Sequence, residues 1–312
     1  MNVMLQNKDT VTITAPLGLR FRDESTGELV GEGLRVAVFE PSKPAGKVQA
    51  IANPSGVYVV HHAPGLIAIE HGIGDAKFWS SLPPKRNFVV AVTDAERRFQ
   101  PFQIDVQLPQ RGIFNWVSPF GMSPPGSASG IPLYSSPVRK VPAGMAVVRA
   151  DLWDASNDLP AAWTVVEVLV DDQLVGRGIA DDQGRLAVIF PQPAPPRFTA
   201  LSSPSVGSPP AVTGLPLTEQ TWGLNLRALY EPMDPLPLFP GESGPEQGLP
   251  DLRAMLSQPE ATLWADPELT IPLTTVSLSY GRELILKSRP ALSTSPPTRE
   301  SVLFITPAVS PL

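Results

Sequence analysis

The 38 prolines spread through the 312 residues limit this chain more than any other feature. Proline has no backbone N–H to donate, and its ring clashes with the carbonyl one turn earlier, so it interrupts helix interiors. An ordinary chain carries roughly 5% proline; at the density found here long helices are excluded. Extended structure broken by frequent turns is what remains.

Between the prolines, apolar residues recur at every second position, the spacing of a strand with one buried face. GLRFRD, the turn ESTGEL and GLRVAVFE predict strand, turn and strand over Leu19 to Val38, with Leu34, Val36 and Val38 inward. VQAIANPSGVYVVHHAPG predicts a hairpin turning at Asn53, Pro54, Ser55 and Gly56, residue types that supply tight-turn dihedrals. NFVVAVTDAERRFQPFQIDVQLP adds an apolar run at Phe88 to Val92, a turn at Asp94 to Glu96, and an alternating strand at Phe102, Ile104 and Val106. Together they predict a first sandwich over residues 1–117. SPFGMSPPGSASGIPLYSSP, residues 118–137, reads as a linker too poor in apolar side chains to pack a core.

A second sandwich is expected over 138–232, because its layout repeats the first. RFRDESTGELV matches VRADLWDASNDLP, and AIANPSGVYVVHHAPG matches GIADDQGRLAVIFPQP. Gly56 and Gly184 fall at equivalent places and are expected in the left-handed conformation, which costs other residues roughly 1 kcal/mol. Pro191 to Pro216 reads as an extended arm, and WGLNLRALYEP as the strand that closes the second unit. Residues 233–312 read as a proline-rich segment without a core of its own. It holds a short helix at 249–258, with Asp251 in the first turn and Leu249, Leu252, Met255 and Leu256 at helical spacing, and two strands, TTVSLSYGRELILKS and SVLFITP.

Three constellations carry possible chemistry. His61, His62 and His71 with Glu70 are residue types of zinc sites, but neighbours on a strand point to opposite faces and no HExxH spacing is present. Asp171, Asp172, Asp181 and Asp182 flank the second hairpin and could contribute to a calcium site; turn carboxylates also bind their own backbone. Trp79, Trp116, Trp153, Trp163 and Trp222 could stack sugars or anchor a protein partner. Trp163 and Trp222 lie in apolar strands and read as core, whereas Trp79, Trp116, Phe120 and Trp264 are the candidate interface residues. No GxSxG elbow, phosphate-cradling GxxxxGK[ST] loop or complete GxGxxG appears, so no catalytic, cofactor-binding or metal-binding residue is assigned and no enzyme is expected.

A net charge of −6 offers no basic stripe for phosphates, so nucleic acid is not an expected partner. The absence of cysteine removes disulfides and thiolate chemistry. MNVMLQNKDTVTITAPLG lacks the basic start and apolar run of a secretory signal, and no stretch reaches the about 18 apolar residues of a membrane span. Cytoplasmic synthesis is expected. Charged residues make up only 17% of the chain, which leaves neutral surface for protein contacts.

GLRFRDESTGELVGEGLRVAVFEP followed by ANPSGVYVVHHAPG resembles the carboxypeptidase-regulatory-like, transthyretin-type β-sandwiches. The whole layout, through RFQPFQIDVQLPQRG, AVVRADLWDASNDLPAAWTVVEVLVDD, GRGIADDQGRLAVIFPQP and LTEQTWGLNLRALYEP, is similar to accessory components of phage-tail-like contractile injection systems. The first resemblance covers the first module and implies its fold; with the strand pattern and the internal repeat, the expectation is an all-β chain of two immunoglobulin- or transthyretin-like sandwiches in tandem. The second implies a structural subunit at the cap end or baseplate, released with its particle by lysis. Its partners would be other subunits of a large assembly, with self-association also open. An adhesin-like or carbohydrate-binding protein is the alternative, and a metal-dependent hydrolase built on the three histidines a third reading.

Overall fold

The computed structural model describes residues 13–72, 75–120, 129–194, 219–233, 248–288 and 302–307. The chain is mostly β. A first set of elements comprises β1 (Leu17–Leu19), β2 (Phe21–Asp23), β3 (Leu34–Glu40), β4 (Lys43–Gln49), β5 (Ile51–Ala52), β6 (Tyr58–Val60), α1 (Ile67–Glu70), α2 (Ala76–Ser80), β7 (Arg86–Asp94), β8 (Phe102–Leu108) and β9 (Ile131–Leu133). One antiparallel sheet has the order β4-β3-β7-β8, another the order β1-β6-β5, and β9 runs parallel to β2. Alternation sends Val36, Val38, Phe88, Val90, Val92, Ile104 and Val106 into the main core, where Leu17, Leu19 and Phe21 join them. The run at Phe88 to Val92 is continuous because both its faces are covered: Val89 and Ala91 form a second cluster with Ala37, Phe39 and Leu249 from far along the chain.

The second set comprises β10 (Met145–Asp154), β11 (Leu159–Pro160), β12 (Val165–Val170), β13 (Gln173–Ile179), β14 (Arg185–Pro191), β15 (Thr221–Leu229), α3 (Leu252–Leu256), β16 (Glu260–Trp264), β17 (Thr275–Ser279), β18 (Leu284–Leu286) and β19 (Leu303–Pro307). Its sheet runs β11-β10-β19-β16-β15-β12-β13, with β14 and β18 also on β10 and β17 also on β15.

The two sets share registers as well as connectivity. Leu17, Gly18 and Leu19 face Val60, Val59 and Tyr58, as Val148, Arg149 and Ala150 face Val188, Ala187 and Leu186. Leu34 to Ala37 face Asp94 to Ala91, as Val165 to Val168 face Leu229 to Leu226. Arg86 to Val90 face Leu108 to Ile104, as Thr221 to Asn225 face Ser279 to Thr275. The parallel pairing of Phe21 with Ile131 recurs as Leu152 with Leu303. The main departure is an insertion: the turn at 95–101 is replaced by residues 230–274, which carry α3 and β16.

This correspondence revises two expectations. Residues 131–133, expected within a linker, form a buried strand. Ile131 donates its N–H to Arg20 and Leu133 accepts from Glu24, so Pro132 occupies the position whose missing N–H points away from the ladder. The segment after 233, expected to stand apart from the second sandwich at 138–232, supplies β16 to β19 to the second sheet, where Leu263, Leu278, Leu286, Leu303 and Ile305 join that set's core. The predicted helix is present but shorter, and Asp251 caps it rather than lying inside, its carboxylate accepting from Arg253 and Ala254 N–H. Parts of the expected arms, 121–128 and 195–216, lie outside the described residues.

One turn chemistry recurs. The side chains of Asn53, Asp94, Asp181 and Asp266 each accept the backbone N–H four residues on, at Val57, Arg98, Arg185 and Thr270. In each case the residue three positions on has a positive φ: Gly56, Arg97, Gly184 and Leu269. Of the four carboxylates flanking the expected second hairpin, Asp181 serves its own backbone, accepting from the Gln183 and Arg185 N–H groups. Gly56 and Gly184 are both left-handed, at φ +71 and +74.

At Gly184 a second constraint is added, since a Cβ there would lie 2.3 Å from the Leu152 carbonyl oxygen. Gly27 has a similar φ and nothing within 4 Å. Gly27→Ala is expected to cost about 1 kcal/mol and Gly184→Ala on the order of 3 kcal/mol or more. Urea unfolding of the two variants checks this; equal losses would show that the close approach is immaterial.

Candidate functional site: the seam between the strand sets

The sequence TVVEVLV places a carboxylate in the middle of an apolar strand. β12 is paired on both edges, and its registers set Glu167 opposite Arg177 of β13 and Arg227 of β15. Glu167 is 2% exposed and held from both sides, by Arg177 Nε at 2.8 Å and Arg227 Nη2 at 2.6 Å. Arg177 also reaches Glu24 of the first set at 3.8 Å, and Glu24 pairs with Arg22 at 2.6 Å. The Phe120 ring lies 3.7 Å from the Arg177 guanidinium. A file of alternating charges thus crosses from one set to the other. Burial pushes the nearby Tyr134 phenol well above its ordinary range, with the Glu24 charge acting in the same direction.

Beside this file, Arg139 binds the Asp23 carboxylate at 2.5 Å and donates to Ser135 Oγ at 3.0 Å. Arg98 and Arg139 both lie against the Phe99 ring, at 5.3 and 4.8 Å. The seam is apolar beneath: Trp163, Val165, Ile179, Leu229, Leu252, Met255 and Leu256 belong to the same core cluster as the first set. Gln258 closes it by donating to the carbonyls of Trp163 and Met255, and Gln100 by donating to that of Ile179.

A cleft of about 490 Å³ opens along the seam, with Phe99, Val138, Trp163 and Met233 among its apolar lining and Asp94, Arg97, Asp181 and Arg185 at its margins. Two of its residues are backbone outliers, Arg97 at φ +57 and Trp163 at φ +62. A bulky aromatic residue rarely adopts that region. Trp163 is held there by Gln258, which binds its carbonyl, and by the Asp181 carbonyl that accepts its N–H.

The four expected interface residues lie in three separate segments, α2, the stretch after β8 and β16. Trp79 is half-buried in α2, its ring edge-on to Phe78 at 5.4 Å. Trp116 and Phe120 pack on the main core, with Arg253 over the Trp116 ring at 5.4 Å and Arg177 over Phe120. Trp264 is half-buried in β16 and donates to Thr306 Oγ1 at 2.9 Å. Trp163 and Trp222 are core as expected, Trp222 on β15 but Trp163 in the turn before β12 rather than on a strand. Cations thus cover the rings of Trp116 and Phe120 that a sugar would stack on.

His61 and His62 fall just after β6 rather than on it, and His62 has φ +60. Glu70 is buried and accepts the His62 N–H, with His61 Nδ1 3.7 Å from its other oxygen. That carboxylate fixes a loop. Among the described residues, no three His, Asp or Glu side chains converge as a metal site would require, and no helix is long and apolar enough to cross a membrane. The sequence reading missed Arg97, Tyr134, Glu167 and Arg177; the charge inside TVVEVLV was the available signal for Glu167.

Comparison with known proteins finds no matching family model, no matching curated protein and no matching solved structure.

The charges at the seam give opposite pH responses. For Asp23, burial favours the neutral form, but hydrogen bonds from Arg139 and Ser25 and the Arg139 charge outweigh it and hold the carboxyl below its usual value of 3.8. Its contribution is present above that value and lost as pH falls through the lower folded one. For Glu24, burial dominates over the attraction of Arg22 and Arg177 and raises the carboxyl above its usual 4.5. Its ionisation therefore opposes folding at neutral pH and ceases to matter below the usual value. At pH 7, Asp23→Asn is expected to destabilise and Glu24→Gln to stabilise. Both differences should shrink as pH falls below the ordinary carboxylate range, which denaturant titrations at several pH values check.

Proposed function

We propose that this chain is a structural subunit of a multi-protein particle, of the contractile injection type its sequence resembles, acting through interfaces and not through chemistry. In this reading the two register-matched strand sets are tandem sandwiches of the immunoglobulin or transthyretin kind, fused into one rigid body. The observation that carries it is the placement of charge and apolar surface. Charges are drawn inward along the seam, as at Glu167, while large apolar side chains stand outside on terminal or short strands. Ile51, 64% exposed, lies on β5 at the end of its sheet, Leu174 on the terminal strand β13, and Ile285 on β18.

A terminal strand with exposed apolar side chains invites pairing with another chain, and soluble monomers normally guard such edges with charge or proline. A particle subunit covers them with its neighbours. Rigidity at the seam suits a part that transmits load, since freely hinged modules would yield first.

Co-expression with the products of neighbouring genes is expected to give a complex containing sheath, tube or baseplate proteins. Ile51→Lys with Leu174→Lys should abolish incorporation and leave the thermal midpoint within a few degrees, because both positions are exposed surface. A chain that stays monomeric beside those proteins would sink the reading.

A further inference from the structure

The seam cleft has a feature that assembly through strand edges does not use. Of its two cations, Arg185 is engaged by Asp181 at 2.7 Å and also faces Asp182 and Asp151. The Asp94 carboxylate is engaged by Arg98. The Arg97 guanidinium has no ion pair or hydrogen bond among the described residues. Two of the four equivalent turns place glycine where Arg97 sits, and glycine holds that conformation without strain. An arginine there keeps a strained backbone and leaves its charge unpaired at the mouth of the cleft. Strained residues cluster at ligand clamps, and Trp163 is the second one lining this cavity.

We propose that the cleft is a binding site for a small monoanion with an apolar body, an alkyl or aryl carboxylate. The carboxylate pairs with Arg97, and the body lies over Val138, which is 66% exposed, Met233 and Trp163. The volume of about 490 Å³ suits such a ligand, falling within the roughly 300–1,000 Å³ of small-molecule sites. Asp181 and Asp182 across the cleft disfavour a second negative charge. Polyanions are thereby excluded.

The test uses the full chain with anilinonaphthalene sulfonate, an aryl monoanion whose fluorescence rises on leaving water, and with decanoate and decanol as competitors. One probe per chain is expected to bind, to be displaced by decanoate, and to be displaced much less well by the uncharged decanol. Arg97→Gly should weaken probe binding about tenfold, the magnitude of one charge-assisted hydrogen bond, while the thermal midpoint holds or rises because the strained backbone is relieved. Arg97→Lys should keep most of the affinity. An unbound probe, equal binding by Arg97→Gly, or equal displacement by decanol and decanoate would each overturn the proposal.

Discussion

One buried carboxylate ties three strands together at the seam between the two strand sets. Glu167 occupies the centre of β12 with an arginine opposite it on each neighbouring strand, and one of these, Arg177, turns to Glu24 in the other strand set. Breaking a buried pair by removing one partner typically costs about 3–5 kcal/mol, because the remaining charge is left without compensation. Such a file adds little net energy over apolar packing, but it tolerates only one alignment of the chains that supply it. The apolar cluster beneath gives the seam its stabilisation, and the charges fix its registry.

The repetition of strand registers extends to strands set among prolines. Each set needs a parallel strand beside its first one, and in both that strand arrives from the far side of a proline- and serine-rich stretch, as Ile131–Leu133 and as Leu303–Pro307. Pro132 is accommodated because alternate residues of such a strand face away from the ladder. The extra residues 230–274 of the second set do not simply loop out. They deliver Leu249 onto the outer face of the first set, which is how β7 comes to be buried on both sides, and the buried residues of α3 onto its main core.

The turns show the same economy with one exception. Four Asx-initiated turns share a hydrogen-bond pattern, yet only two of them place glycine at the left-handed position. Arg97 and Leu269 occupy it in the others, and Arg97 lies at the cleft together with the strained Trp163. The glycine rule is therefore broken both at the cleft, by Arg97, and away from it, by Leu269 in the turn after β16.

Proline density and period-two alternation determined the strand-rich class, the hairpin at Asn53, the turn at Asp181 and the left-handed Gly56 and Gly184, because these depend on residues a few positions apart; the strands flanking Asp181 pair not with each other but with β12 and β10. The near-repeat of the two turns was legible for the same reason. Which residues meet across the seam was decided only by the tertiary structure. Glu24 and Phe120 lie far in sequence from the neighbouring pair Glu167 and Arg177, and nothing local distinguishes a charge bound for a distant partner from one bound for water. The burial of Ile131–Leu133 and of the strands beyond Glu260 escaped the sequence reading likewise. A short strand set among prolines becomes worth forming only when a distant edge is already in place to receive it.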